Sequence, residues 1–300
     1  MFAFVRELLK RVRQGDDDAW VELRGLGDEL TSALPVLRDW LLDETNESLQ
    51  IRTAELLEGL RQLAAPAAAD LGKALRLGSA PLRAAAADAL AAIGGPALQE
   101  LSGCLLHPDP EVRRAVCRAL GATGPAAAGT VPVLLERVRD REEAEEVRLR
   151  AIWAIGRIGT DQAVEGLTEV FEDEGGTLAI WIAEALGAIG RAARPAATTL
   201  RDGLAGDDAD IALASAGALI KIRMYEDHVI WSLIRWLQPS ASKNLDVEIA
   251  AESALLLGEM GASATAAIPA LIHASTNDDE FLRRNAMLAV AKIRPEYARA

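Results

Sequence analysis

The chain has 300 residues and a formal net charge of −13, and half of its residues are hydrophobic although only 4% are aromatic. This acidic balance argues against a nucleic-acid partner, because binding along a phosphate backbone needs a basic surface. Two cysteines are too few for a disulfide framework. Charges interrupt the N-terminal stretch, and no unbroken apolar run reaches about 18 residues, so neither a signal peptide nor a membrane partner is expected. We expect a reduced, cytoplasmic protein.

The chain begins with two helical patterns. Residues 2–13 place Val5, Leu8 and Val12 on one face of an amphipathic helix. Gly15 breaks this helix, and the aspartates at 16 to 18 offer caps for a second helix that runs to Leu26. We expect residues 1–27 to form an N-terminal cap pair, because a terminal repeat has a neighbour on one side only.

One helical phrase recurs along the rest of the chain, and its clearest copy is residues 147–159. Apolar residues stand at zero, +4, +7, +8 and +11 from Val147, which places them on one stripe of a helix, and Gly159 ends the phrase. Related copies recur at intervals of 30 to 38 residues, and they begin at Ile51, Leu82, Val112, Leu178, Ile211, Ile249 and Leu282. A fixed period of this length is typical of a repeat architecture.

A second, shorter helix is predicted between successive copies. Its first turn carries proline, which is tolerated there, at Pro35, Pro132 and Pro269 and, in less similar phrases, at Pro66, Pro96 and Pro195. The pattern predicts an all-α chain, a right-handed α-solenoid or superhelix of about nine antiparallel helix pairs. We expect a single array over 1–300, with the cap pair at 1–27, eight repeats at 28–294 and a tail at 295–300. An extended turn is expected over residues 238–244.

The stretch Leu-Leu-His-Pro-Asp-Pro-Glu-Val-Arg-Arg-Ala-Val-Cys-Arg-Ala-Leu-Gly at residues 105–121 resembles a HEAT repeat, and it is most similar to the bacterial type found in phycobilisome lyases. The resemblance covers residues 29–294. It implies that the recurring helices line the concave side of the array. It also implies that the arginine of each Val-Arg pair ties back to an acidic residue in the turn. HEAT arrays serve many roles, so the resemblance does not name the partner.

No motif for catalysis, cofactor or metal binding is found in the sequence. His107, His228 and His273 are isolated, whereas metal-dependent hydroxylases with HEAT-like repeats carry His-Glu pairs. Cys104 and Cys117 are interpreted as buried thiols. Acidic runs precede the recurring helices, and we interpret them as helix caps. The alternative is an acidic rim that binds a basic partner or cations.

Tryptophan and arginine mark the candidate binding surface. Trp153 stands at +6 from Val147, a position that points away from the centre of the apolar stripe. Two interpretations remain open for the apolar residues on this side: tight superhelical packing, or a groove for a peptide or helix. Arg113 and Arg148 belong to the arginine cluster around Trp153. The predicted partner-binding residues are Trp153, Trp181, Arg114, Arg118, Leu149, Arg150, Arg157 and Glu184.

The sequence therefore favours a non-catalytic scaffold or adaptor that binds a protein or peptide partner on its concave face, without a cofactor. One alternative is an accessory enzyme subunit, such as a bilin lyase-like factor. A less favoured alternative is a HEAT-like DNA glycosylase, since that class uses a basic concave face and this chain is acidic overall. A third is a subunit that clamps a partner within a larger complex.

Overall fold

The computed structural model describes residues 2–224, 227–238 and 246–295, and these residues form helices and no strand. Residues 239–244 of the expected extended turn, and residues 296–300 of the expected tail, lie outside the described residues. The chain divides into two units, Met1–Ile158 and Gly159–Ala300. The all-α solenoid architecture expected from the sequence is confirmed, since helix pairs stack in series within each unit. The division into a cap pair, eight repeats and a tail stays a prediction.

The first unit contains the helices α1 to α10, and the recurring phrase forms α4, α6, α8 and α10. We call these the B helices and the helices that precede them, α3, α5, α7 and α9, the A helices. Each A helix packs on the B helix that follows it, and the B helices pack side by side in chain order. The bounds are α1 Phe2–Arg13, α2 Asp17–Gly25, α3 Leu34–Leu41, α4 Glu47–Leu60, α5 Ala68–Leu77, α6 Ala80–Ile93, α7 Leu98–Cys104, α8 Pro110–Thr123, α9 Val131–Arg139 and α10 Glu145–Ile158.

The second unit contains the helices α11 to α18 in the same arrangement. The A helices α11, α13, α15 and α17 alternate with the B helices α12, α14, α16 and α18, and the B helices again pack in series. The bounds are α11 Asp161–Asp173, α12 Gly176–Ile189, α13 Ala197–Ala205, α14 Ala209–Lys221, α15 Asp227–Trp236, α16 Val247–Met260, α17 Ile268–Ala274 and α18 Glu280–Ile293.

Glycine ends five of the eight B helices that the structure describes, as predicted for these five. Five expected positions have a positive φ that favours glycine, namely Gly94, Gly124, Gly159, Gly190 and Gly261. A 3₁₀ segment then leads to the next A helix in several repeats, for example Gly190–Ala196 and Gly261–Ala267. The prediction that Pro66, Pro96 and Pro195 lie in the first turns of A helices is wrong, because these prolines lie in the 3₁₀ segments. The fixed φ of proline suits such a segment as well as it suits a helix start.

Small residues let adjacent B helices approach each other closely. In the second unit, a Cβ atom added to Gly187 would lie 3.0 Å from the Cα atom of Ala218, and one added to Gly258 would lie 3.0 Å from the Cα atom of Ala289. Both glycines stand at +9 of their phrase and both alanines at +7 of the next. The alanine-rich composition is therefore a requirement of close helix packing.

Aspartates cap several B helices. The side chains of Asp109, Asp208, Asp246 and Asp279 accept hydrogen bonds from backbone N–H groups in the first turn of α8, α14, α16 and α18. These N–H groups have no partner within the helix, so the carboxylates satisfy them and also face the positive end of the helix dipole. The interpretation of the acidic runs as helix caps is confirmed for Asp208 and Asp279, which belong to such runs, and Asp109 and Asp246 are further caps outside them.

One stretch of the second unit, Val247–Ala274, is long and apolar enough by length and composition to cross a membrane, although the sequence shows no unbroken apolar run. The stretch is not one straight helix. Gly261, with a φ of 57°, ends α16, and a 3₁₀ segment separates α16 from α17. Both helices pack against α18, which explains their apolar character as part of a protein core.

Candidate functional site

A groove lined by arginines lies on the B helices α6, α8 and α10 of the first unit. It has a cavity volume of about 240 Å³, and alanines on α6 and α8 leave room for it. We call it the arginine groove, and it is lined by Ala80, Arg83, Ala84, Asp88, Glu111, Arg114, Ala115, Arg118 and Arg150. Four guanidinium groups thus face two carboxylates. The groove is positive within a chain whose net charge is −13.

The ion pairs of the groove are partly exposed. Arg114 donates to Glu111 over 2.5 Å, and these two side chains remain 46% and 53% exposed. Arg118 donates to Asp88 and to the backbone carbonyl of Ala84. An exposed pair of this kind contributes about 0–1 kcal/mol. A carboxylate from a partner therefore replaces either acidic residue at little cost.

Arg83 presents an unsatisfied donor at the same place. Its Nη2 atom lies 3.1 Å from Oδ2 of Asp109, the cap of α8. Its Nε atom is buried and has no hydrogen-bond acceptor among the residues that the structure describes. A buried donor without an acceptor costs about 1–3 kcal/mol.

Trp153 lies beside the groove and packs against α8. A Cβ atom added to Gly121 would lie 2.3 Å from Cζ3 of Trp153, so the indole ring occupies the space that a side chain at Gly121 would need. The guanidinium carbon of Arg150 lies 5.4 Å from the ring centroid, within cation–π range. Trp153 is half-buried. It therefore contributes to helix packing and also positions Arg150, which lines the groove.

Two arginines of the predicted cluster do not line the groove. Arg113 is held by Glu143 and by the carbonyls of its own turn. Arg148 is buried, and its Nε atom donates to the carbonyl of Val138 over 2.8 Å. Both side chains join turns and helices of the array in this structure. The sequence could not separate them from Arg114 and Arg118, because their roles depend on residues in neighbouring helices.

The other predicted site residues of the first unit lie outside the lining of the groove. Leu149 is half-buried and Arg157 is exposed, both on α10. Sequence reasoning missed Arg83, Asp88 and Glu111 as groove residues. Arg83 carried a usable signal, since it is the arginine of the Leu-Arg pair that opens the phrase at Leu82.

Trp181 and Glu184 belong to α12 in the second unit, where Trp181 is half-buried and Glu184 is exposed. Burial raises the pKa of Glu252 on α16, and the nearby carboxylates of Asp210 and Glu184 raise it further. Glu184 thus belongs to a group of like charges on the B helices of this unit.

No group of three or more His, Cys, Asp or Glu side chains is arranged to hold a metal ion within residues 2–224, 227–238 and 246–295. Cys104 and Cys117 are buried free thiols, as the sequence predicted. Burial raises the pKa of the Cys117 thiol to about 12, and the negative charge of Glu143 adds to this effect.

The fold and the repeated ion pairs define an α-solenoid of the HEAT class. The family described as HEAT repeats matches residues 34–120, 68–145 and 131–220, which together cover more than half of the chain. The chain therefore belongs to the HEAT-repeat family. The match does not identify the phycobilisome lyase type.

One similar solved structure shares the fold of this chain, and two others align with lower scores. The structure of Kap95p with RanGDP, in which Kap95p binding induces the switch loops of RanGDP to adopt the GTP-bound conformation, aligns with a TM-score of 0.65 and 15% identity over 98% of this chain and 46% of that chain. An engineered protein aligns with a TM-score of 0.46 and 21% identity over 96% of this chain and 88% of its own. Human deoxyhypusine hydroxylase in complex with glycerol aligns with a TM-score of 0.40 and 21% identity over 90% and 99%. None of the curated proteins compared with the sequence matches it.

Proposed function

We propose that this protein is a cytoplasmic, non-catalytic scaffold or adaptor, and that its arginine groove binds an acidic segment of a partner protein. The observation that carries the proposal is the charge of the groove: four arginines and two acidic residues line one cavity of a strongly acidic chain. Membership of the HEAT-repeat family suits a role in protein interaction. The similar fold of Kap95p, a protein that binds RanGDP, adds support.

The chemistry of the groove favours carboxylates. Guanidinium groups donate in a planar fork that matches a carboxylate, and such charge-assisted bonds are stronger than neutral ones. Ala80, Ala84 and Ala115 leave space for a backbone to come close to α6 and α8. Arg114 and Arg118 exchange a half-exposed internal partner for an incoming carboxylate.

A labelled peptide tests this proposal. The probe is a fluorescein-tagged peptide of about 12 residues in which Asp and Glu alternate with Gly and Ser, and its fluorescence anisotropy is followed as the full chain is added. We expect the double variant Arg114→Glu/Arg118→Glu to weaken binding at least about tenfold, because two groove contacts become repulsive. The matched control is Arg6→Glu/Arg13→Glu, which makes the same change of charge on exposed residues of α1 in the same unit.

If the control variant binds the peptide with an affinity within about twofold of the wild type, the peptide binds specifically at the arginine groove. Equal losses in both double variants would mean that net charge alone attracts the peptide, and the groove would be rejected. Absence of binding to the acidic peptide would also overturn the proposal.

A further inference from the structure

Three exposed leucines stand where the A helices of the first unit lead into the B helices. Leu42 directly follows α3, Leu77 is the last residue of α5, and Leu106 lies two residues after α7. Their exposed fractions are 42%, 81% and 68%. We call Leu42, Leu77 and Leu106 the leucine rim. Single exposed leucines are ordinary on protein surfaces, but the same feature in three consecutive repeats is not.

The fold itself does not require leucine at these positions. The core is closed by the preceding buried residues Leu41, Leu75 and Leu105. In the other A helices that the structure describes, the residue that follows the last buried apolar residue is polar or small: Arg139, Glu172, Ala205, Gln238 and Ser275. In α5 this position is occupied by Arg76, and Leu77 stands one residue later. An exposed leucine at the end of an A helix is therefore not needed to close the core of a repeat.

Leu42 and Leu77 line one cavity of about 370 Å³. Its other apolar residues are Leu41, Ala74 and Leu82, and its charged residues are Glu44, Glu47 and Lys73. Lys73 pairs with Asp70 at 3.5 Å, whereas Glu44 and Glu47 are exposed. Gln50 and Ser79 also line the cavity, and the Ser79 hydroxyl donates to Glu47. Leucine side chains beside two exposed carboxylates complement a segment that has both apolar and basic side chains.

We propose that the leucine rim is a second docking surface, which binds an amphipathic, basic segment of a partner protein. Apolar side chains of the segment enter the cavity between Leu42 and Leu77, its Lys or Arg side chains face Glu44 and Glu47, and Leu106 extends the contact to the next repeat. The cavity shares no lining residue with the arginine groove. The inference is therefore independent of the proposed function, and the two surfaces select partner segments of opposite charge.

Synthetic peptides test the rim on the full chain. The probe is a fluorescein-tagged amphipathic peptide of about 18 residues, with Leu on one helical face and Lys on the other. Two companion peptides replace every Lys by Glu or every Leu by Ser. We expect the Leu/Lys peptide to bind, and Leu42→Ser/Leu77→Ser to weaken its binding at least about tenfold because the cavity loses its apolar contacts. Glu44→Lys/Glu47→Lys should also weaken it.

The matched control is Phe4→Ser/Val21→Ser, which removes two exposed apolar side chains elsewhere in the first unit. Its affinity should stay within about twofold of the wild type. If Leu42→Ser/Leu77→Ser lowers the melting temperature, the affinity of the single variant Leu77→Ser is the test of the rim. Leu77 is the most exposed of the three leucines, so its replacement should affect folding least. Equal binding of the Ser/Lys or Leu/Glu peptide, or unchanged binding to both leucine variants, would overturn the inference.

Discussion

Arg113 on α8 donates two hydrogen bonds to the carboxylate of Glu143, from Nε to Oε2 over 2.7 Å and from Nη2 to Oε1 over 2.5 Å. The Glu143 side chain is 1% exposed and the Arg113 side chain 14%. The Nη1 atom of Arg113 also donates to the carbonyls of His107 and Pro108, in the turn between α7 and α8. One side chain thus joins its own turn to the turn before α10, and Glu143 raises the pKa of the Arg113 guanidinium.

We expect Glu143→Ala to lower the free energy of unfolding by about 3 kcal/mol, because it leaves a largely buried arginine without its carboxylate. Glu111→Ala, which breaks the exposed pair with Arg114, is the control and should cost less than about 1 kcal/mol. Equilibrium urea unfolding followed by circular dichroism measures both. Equal effects of the two substitutions would show that the buried pair contributes no more than an exposed one.

Gly121→Ala should destabilise the first unit by about 1–3 kcal/mol, because the new Cβ atom overlaps the Trp153 ring and the backbone of Ala154. Gly59→Ala, on the exposed side of α4 with no atom within 4 Å of the added Cβ, should instead stabilise by about 0.4–1 kcal/mol. Thermal melting distinguishes the two signs. In a Trp153→Ala background, Gly121→Ala should lower the free energy of unfolding by less than it does in the wild type. Additive effects of the two substitutions would show that the Trp153 ring does not occupy the space beside Gly121.

Asp208→Ala should lower stability by about 1 kcal/mol, since Asp208 caps α14 by accepting from the backbone N–H groups of Asp210 and Ile211. The neighbouring Asp207→Ala removes the same charge but no cap, and it should stay within about 0.5 kcal/mol of the wild type. Urea midpoints of the two variants provide the comparison. A larger loss for Asp207→Ala would show that charge, rather than capping, governs this turn.

Cys117 should resist iodoacetamide at pH 8 to 9 in the folded protein and react after unfolding in urea, because the thiolate is the nucleophile and burial raises its pKa from 9.0 to about 12. The same shift affects stability. The contribution of the neutral thiol to the free energy of unfolding is fully present below the unfolded pKa of 9.0. This contribution is lost as the pH rises towards 12, the pKa of the thiol in the folded protein. Mass spectrometry of alkylated peptides measures the reaction. Equal labelling rates in the folded and unfolded protein would contradict the buried environment.

Much of the fold could be predicted because its signals are local. The apolar stripe of each B helix and the glycine that ends it lie within about 14 residues, so periodicity and the positive φ of Gly94 or Gly190 are readable from one segment. The 3₁₀ segments were missed because the fixed φ of Pro66 and Pro195 fits both a 3₁₀ segment and a helix start. Sequence alone gives no reason to choose between them.

The site was harder to predict because its contacts join distant residues. Arg83 and Asp109 are 26 residues apart, and Arg113 and Glu143 are 30 apart. The sequence identified clustered arginines around Trp153, but the partner of each guanidinium depends on the stacking of α6, α8 and α10. Trp153 was placed correctly on α10, but the sequence left open whether it packs against a neighbouring helix or lines a groove, because the missing side chain at Gly121 matters only once the helices meet.

The bonds from Arg83 to Asp109 and from Arg113 to Glu143 both run from one repeat into the next. The resemblance to HEAT repeats had implied a bond back into the same turn. A repeat excised at the start of its A helix would therefore be separated from a carboxylate that its arginine needs. Segments cut between Asp109 and Pro110, and between Glu143 and Ala144, keep each pair whole. No boundary at Asp109 keeps all of its bonds, because Asp109 pairs with Arg83 on α6 and also caps α8. A module that begins at a B helix therefore keeps the ion pair and loses the cap, whereas a module that begins at an A helix keeps the cap and loses the ion pair to the next repeat.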